Sequence, residues 1–251
     1  MRRALVRIGQ AGISLAVFLV AWKVLTLVTG APPYILPPPE VVGRRGAEAI
    51  GSGVLWEHTA ATLVEVVLGF ALGALTAVLT GIALGKSMLI ERVLSPYIVA
   101  AQAVPVLALA PLLDIWFGGG MLSRILVCAL IVFFPIAIAT MVGVRSADPL
   151  LHEMLRSLGA TPGQVTRRLE IPSALPVIFG GLRVGVTLAV IGAVVAEWVS
   201  ASVGLGVLIN IADQGLFDTP LMFVALAALA MIGLAFYGMV VFAERRLVPS
   251  A

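Results

Sequence analysis

Six apolar stretches, each long enough to cross a bilayer as a helix, constrain this sequence more than any other feature. A spanning helix needs about 20 predominantly apolar residues, and such stretches lie at 9–29, 60–85, 93–117, 121–143, 174–198 and 220–243. The mean hydropathy is +1.12. Charged residues make up only 12% of the chain, whereas soluble domains contain about 25%. The sequence therefore predicts an all-α integral membrane protein with six transmembrane helices in a single domain, residues 1–251.

The distribution of arginine and lysine predicts the orientation of the spans, because cytoplasmic loops carry an excess of both. The basic residues cluster at the N-terminus, after the second span, in the loop at 146–173 and at the C-terminus. The loop at 199–219 contains none. We therefore expect both termini in the cytoplasm. The same rule explains the net charge of +3 without nucleic acid, since no basic and aromatic patch accompanies it.

Prolines and glycines indicate spans that are kinked and closely packed. The third span contains Pro96, Pro105 and Pro111, and the fourth contains Pro135. Proline removes a backbone donor and kinks a helix, which membranes tolerate where protein or a cavity satisfies the freed carbonyl. The prolines of the third span therefore favour a helix that lines a pathway. Small-residue stretches such as GFALGALTAVLTG permit close helix approach.

Two short motifs that suggest chemistry are incomplete, the first in its spacing and the second in its residues. The stretch GIALGKS at 81–87 ends like a nucleotide-binding loop, but three residues separate its glycines where the loop requires four. The stretch HEMLR begins like a zinc-protease motif, but Arg156 stands where the second histidine must be. We expect neither an ATP site nor a metal site in this chain.

The loop at 146–173 carries well-defined helix start and stop signals. Asp148 is a good N-cap and precedes a proline suited to the first helical position. The resulting helix should run to Leu158, where Gly159 can adopt the left-handed conformation that ends it. Thr161 and Gln164 form a capping-box pattern for a second helix, expected to stop before Pro172. Such a structured loop is either a lid over the pore or a docking surface, and composition alone does not separate the two.

This loop resembles the signature segment of binding-protein-dependent ABC importer permeases, which reads E-A-A, three residues, G, nine residues, I-x-L-P. Glu153, Gly159 and Pro172 occupy the matching positions, and Leu169 and Ile171 are conservative replacements. Other stretches, including LAPLLDIWFG and VVAEWVSASVGLGVLI, resemble the nitrate, sulfonate, taurine and vitamin-precursor branch of that family.

One departure from the signature lies inside the first helix of the loop. Met154 and Leu155 stand where the signature has its two alanines. These larger side chains change the fine packing of the contact that the segment makes.

The resemblance implies a type I importer fold and a non-catalytic role. Two permease copies would form a homodimer in a bacterial cytoplasmic membrane. Two separate ATP-binding subunits would carry ATP and Mg²⁺, and an extracytoplasmic protein would deliver the substrate. This chain itself would bind no cofactor. The residues that the resemblance assigns to ATPase coupling are Glu153, Arg156, Gly159, Ala160, Pro162 and Pro172, with Arg167 a further candidate for polar contact.

Four residues within the spans are candidates for the translocation pathway or its gate. They are Gln102, Pro105, Asp114 and Glu197. Asp114 either lines the path or bonds a neighbouring helix, and Glu197 is either a gate residue or an anchor at the membrane surface. An aspartate on the path would oppose anions, which favours a vitamin or pyrimidine precursor over sulfonate, nitrate or taurine unless Arg124 neutralises it. Glu65 and Lys23 are expected to be paired or snorkelling charges.

An ion-coupled secondary transporter is the alternative function. In that case Asp114 and Glu65 would carry protons and the 146–173 loop would act as a gate. The energy source separates the two functions, since one requires an ATPase partner and the other a gradient.

Overall fold

Helices account for nearly all of the protein. The computed structural model describes residues 2–215 and 217–248, and no strand occurs within those ranges. In chain order the helices are α1 (Arg2–Thr29), α2 (Pro39–Gly51), α3 (Val54–Lys86), α4 (Met88–Ala103), α5 (Val106–Phe117), α6 (Met121–Arg145), α7 (Pro149–Ser157), α8 (Pro162–Val165), α9 (Ile171–Ser200), α10 (Leu205–Asn210) and α11 (Thr219–Leu247). Five of them, α1, α3, α6, α9 and α11, are long and apolar enough to cross a membrane, and α4 with α5 makes a sixth crossing if the bent pair is one span. The all-helical prediction is confirmed.

Helices α3, α6 and α9 form the centre of the bundle and share its most extensive contacts. Glycines let their backbones approach closely. A Cβ built on Gly73 of α3 would lie 2.6 Å from the carbonyl oxygen of Ala129 in α6. One built on Gly81 would lie 2.6 Å from that of Ala137. The small-residue stretches therefore serve the close packing that the sequence predicts.

The stretch expected as one kinked helix at 93–117 is instead two helices. Helix α4 ends at Ala103, and the axis beyond the break turns by 104°. Val104 and Pro105 are both extended, with ψ of 122° and 119°. The residue before a proline avoids helical geometry, which explains the end of α4. Pro96 and Pro111 lie inside their helices, so Pro105 alone marks the break.

The helix that begins at Pro162 does not stop before Pro172, contrary to the sequence prediction. It continues through a π-helical turn, Thr166–Glu170, directly into α9, which runs to Ser200. The N–H of Ile171 donates to the carbonyl of Thr166, five residues back. Pro172 therefore lies within a continuous helix, directly after the π-helical turn, and removes one N–H donor from that helix.

Peripheral elements join at the end of the bundle formed by α2 and α10, hereafter the α2–α10 end. Lys23 of α1 pairs with Glu40 of α2. Arg45 of α2 donates to Asp218, just before α11, at 2.7 Å, and this hydrogen bond raises the pKa of the Arg45 guanidinium. Helix α10 lies within 199–219, which the sequence predicts as a loop. The opposite end is formed by α7 and α8, hereafter the α7–α8 end.

Candidate functional site

Helices α7 and α8 form a compact module whose local geometry follows the sequence signals. The Asp148 carboxylate accepts a hydrogen bond from the N–H of Leu150 at 2.8 Å. Gly159 has a φ of +77° and ends the first helix, and both capping-box bonds between Thr161 and Gln164 are present. The predicted helix, glycine turn and second helix are therefore confirmed up to the π-helical turn.

The α7 helix lies on the surface with no buried residue. Its apolar side chains stay uncovered: Leu150 is 73% exposed and Met154 is 52% exposed. Leu158, directly after the helix, is 75% exposed. An apolar face of this kind is typical of a surface that docks a partner.

A cavity of about 640 Å³ separates this module from the ends of α3 and α6. Four of the six residues assigned to coupling line it: Glu153, Arg156, Ala160 and Pro162. Gly159 forms the turn between the two helices without lining the cavity, and Pro172 lies beyond it at the start of α9. The module therefore brings most of the predicted residues to one place.

The contacts that hold α7 to the spans come from residues that the sequence analysis missed. Glu153 has no hydrogen bond or ion pair with another described residue. Instead, the Nε2 of His152 lies 3.3 Å from Glu170 Oε1, and Glu170 Oε2 lies 3.2 Å from the Nζ of Lys86 in α3. In the sequence, His152 stands out only as the first histidine of a zinc motif that lacks its second. Its position on the α7 face opposite the apolar stripe was the signal available.

At the α2–α10 end, Glu197 is the centre of a buried polar network. Its side chain is 1% exposed. Thr62 of α3 donates to Glu197 Oε1 at 2.5 Å, and the N–H of Gly206 donates to Oε2 at 2.5 Å. Leu205 N–H donates to Thr62 Oγ1 at 2.8 Å, and His58 Nδ1 lies 2.6 Å from the Gly204 carbonyl oxygen. The network fixes the start of α10 against α3 and α9.

The remaining pathway candidates are scattered along the broken span. Asp114 is half-buried, and its Oδ1 accepts a hydrogen bond from the Ser123 hydroxyl at 2.5 Å. Arg124 does not neutralise it, because the Arg124 Nε lies 2.5 Å from Glu65 Oε1 instead. Gln102 is exposed near the end of α4. Pro105 is the N-cap of α5, at the break.

A second pair of charges between long helices also escaped the sequence analysis. Arg183 of α9 pairs with Glu244 of α11. Charges inside apolar helices are costly unless paired, so this ion pair ties the two helices together. Among the described residues, no group of three or more histidine, cysteine or acidic side chains is placed to hold a metal ion.

Comparison with known proteins identifies relatives across nearly the whole chain. The riboflavin transport system permease protein RibX of Chloroflexus aurantiacus is 48% identical, over 94% of this chain and 88% of that protein. The formylaminopyrimidine transport permease protein ThiX of Halalkalibacterium halodurans is 34% identical, over 92% and 91%. The taurine transport system permease protein TauC of Escherichia coli is 34% identical, over 94% and 87%.

Solved structures share the fold at lower identity. A chain of an amino acid ABC transporter superposes with a TM-score of 0.63 at 22% identity, over 80% of this chain and 97% of that one. A chain of the inward-facing MetNI methionine ABC transporter gives 0.62 at 21%, over 78% and 95%. Residues 48–249 match the model of the family described as "Binding-protein-dependent transport system inner membrane component". The chain therefore belongs to this family of ABC importer permeases and has the type I permease fold.

Proposed function

We propose that two copies of this chain form the translocation pore of an ATP-driven importer in a bacterial cytoplasmic membrane. Two ATP-binding subunits dock at the α7–α8 end, and an extracytoplasmic substrate-binding protein docks at the α2–α10 end. Both termini lie on the cytoplasmic side. The observation that carries the proposal is the α7–α8 module, a capped pair of helices that projects an uncovered apolar face from one end of the bundle.

The module has the properties expected of a mechanical contact with a partner. Its turn is fixed by Gly159, and its first helix is fixed by the Asp148 cap, so the partner meets a preformed surface. Glu153 and Arg156 add charges of both signs to the module, on the side that lines the cavity. Closure of the ATP-binding pair would push on this surface and move the helices as a rigid body.

The proposed substrate class is a vitamin or pyrimidine precursor. RibX and ThiX, whose names state riboflavin and formylaminopyrimidine transport, support this class. Asp114 also supports it, because Arg124 is held by Glu65 and, among the described residues, no cation pairs with Asp114. A carboxylate near the path opposes sulfonate and nitrate by like-charge repulsion.

This chain performs no chemistry in the proposed cycle. ATP and Mg²⁺ belong to the partner subunits, and the permease converts their closure into a change of access to the pore.

Copurification from the native membrane tests the proposal. The tagged chain is expected to bring down an ATPase, and the reconstituted complex with its binding protein is expected to take up riboflavin in preference to taurine. Gly159→Val forces a branched side chain into a left-handed conformation that costs roughly 1–2 kcal/mol even for ordinary residues, so the amount of ATPase recovered should fall. The matched control is Gly43→Ala in α2, where a Cβ meets no atom within 4 Å.

An ion-coupled transporter would give the opposite result. A chain that purifies alone and transports with a proton or sodium gradient would overturn the proposal. In such a transporter Asp114 and Glu65 would carry the protons. In this structure Asp114 accepts a hydrogen bond from Ser123, and Glu65 forms an ion pair with Arg124.

A further inference from the structure

We propose that Glu170 is a positioning residue that ties α7 to the end of α3, so that the module and the central helices move together. This inference rests on the proposed function, since it concerns the route by which docking at α7 reaches the spans. The residue occupies the position that the family signature leaves open between Leu169 and Ile171.

The first observation is the arrangement of charges around Glu170. Its side chain is only 15% exposed. One carboxylate oxygen lies 3.3 Å from His152 of α7, and the other lies 3.2 Å from Lys86 at the end of α3. Among the residues that the structure describes, this is the side-chain link from α7 to a long helix, and its His152 contact is an ion pair when the imidazole is protonated.

The second observation is the backbone that carries Glu170. It is the last residue of the π-helical turn Thr166–Glu170, and single π turns inside α-helices are frequent at functional sites. Lys86 reaches the same turn a second time, because its Nζ donates to Thr166 Oγ1 at 2.5 Å. The Thr166 hydroxyl in turn donates to the carbonyl of Pro162 at 3.0 Å. Lys86 thus clamps both ends of the turn to α3.

The third observation is the exposure of α7. The helix has no buried residue, and the cavity of about 640 Å³ separates the module from the ends of α3 and α6. Among the described residues, a force applied to α7 therefore reaches the spans through the backbone and through the bridge from His152 through Glu170 to Lys86. If only the backbone attached α7, the helix could rotate about the Gly159 turn without moving α3.

Spin labels on the intact transporter test this directly without knowledge of the substrate. Ser157→Cys at the exposed end of α7 and Leu79→Cys on α3, 61% exposed, are labelled in a Cys128→Ala background. The complex with its ATPase is reconstituted in liposomes and compared without nucleotide and with ATP and vanadate. The distance between the labels should not change in the parent, because α7 and α3 move as one body.

Two substitutions separate the bridge from general packing. Glu170→Gln keeps the volume but removes the charge, and the nucleotide-dependent distance should then shift by about 1–2 Å or more, the size of helix displacements in such transitions. His152→Lys places a cation opposite Glu170 and should retain the fixed distance. Glu57→Gln, which removes an exposed carboxylate at the opposite end of α3, is the control and should behave as the parent does.

The outcomes distinguish this inference from the proposed function. Absence of an ATPase from the parent preparation would overturn the proposed function. A coupled parent with a distance that changes on nucleotide binding, or a Glu170→Gln variant with a distance that stays fixed, would overturn the role of Glu170 alone. If Glu170→Gln does not fold, His152→Gln at the partly exposed end of the bridge gives the same comparison.

Discussion

The close contact between α3 and α6 predicts a large effect from the smallest possible substitution. In Gly73→Ala the new Cβ would lie 2.6 Å from Ala129 O, 3.0 Å from Ala129 Cα and 3.1 Å from Val132 Cβ, whereas ordinary contact begins at 3.4 Å. Two of these three atoms belong to the backbone, so no change of side-chain rotamer relieves the overlap. The two helices must separate by several tenths of an ångström along the central interface.

The change in the free energy of unfolding caused by Gly73→Ala is the sum of two opposing effects. Overpacking of a well-packed interior costs typically about 1–3 kcal/mol, whereas replacing glycine by alanine within a helix stabilises it by up to about 1 kcal/mol. Gly238→Ala in α11 experiences only the second effect, because no atom lies within 4 Å of its Cβ position. The two variants should therefore differ in free energy of unfolding by the overpacking contribution, about 1–3 kcal/mol.

The single cysteine supplies the assay. Cys128 is 0% exposed and lies in the same central cluster, so a fluorogenic maleimide reacts with it only when the helices open. Heating the detergent-purified protein with this reagent should give a midpoint for Gly73→Ala about 2–12 °C below that for Gly238→Ala, at roughly 2–4 °C per kcal/mol for a chain of this size. Equal midpoints would refute the argument that close backbone approach stabilises the bundle.

Three further predictions follow from the polar contacts. Asp148→Ala removes the N-cap of α7, worth about 1 kcal/mol, and should speed amide exchange in α7 several-fold, whereas Asp148→Asn should retain protection. Arg124→Leu leaves Glu65 buried and unpaired and should destabilise the chain by about 3–5 kcal/mol, measured by the same thiol assay. A double variant that also carries Glu65→Leu should recover most of that loss. If the destabilising effects of the two substitutions simply add, the ion pair is contradicted. Glu197→Ala removes the acceptor for Thr62 and for the start of α10, so proteolysis within 205–210 should accelerate while cleavage elsewhere stays unchanged.

Local signals in the sequence were sufficient to predict most of the long helices and the α7–α8 module. Apolar length determines where spans lie, and the Asp148 cap and the Gly159 turn depend only on residues a few positions apart. For that reason these features could be predicted without any knowledge of tertiary contacts.

Features that depend on distant residues could not be predicted in this way. The third span has three prolines, and the sequence does not distinguish Pro105, which separates two helices, from Pro96 and Pro111, which lie within them. Likewise, the pairing of Arg124 with Glu65 rather than with Asp114 is decided by how α3 packs against α6. The bridge through Glu170 joins residues from α3, α7 and the π-helical turn, which no spacing rule relates.

The π-helical turn has a consequence for how the chain tolerates changes in length. A π turn spreads one rotation of the helix over one more residue than an α turn does, so deleting one residue within 166–170 would convert it to regular α-helix and leave the α7–α8 module facing nearly the same way. An α-helix, by contrast, turns by about 100° per residue, since 3.6 residues complete a turn. Deleting one residue from the regular helix after Pro172 would therefore rotate the module by about 100° around the axis of α9. A one-residue deletion in α9 should accordingly be far more harmful to docking than one at the π-helical turn.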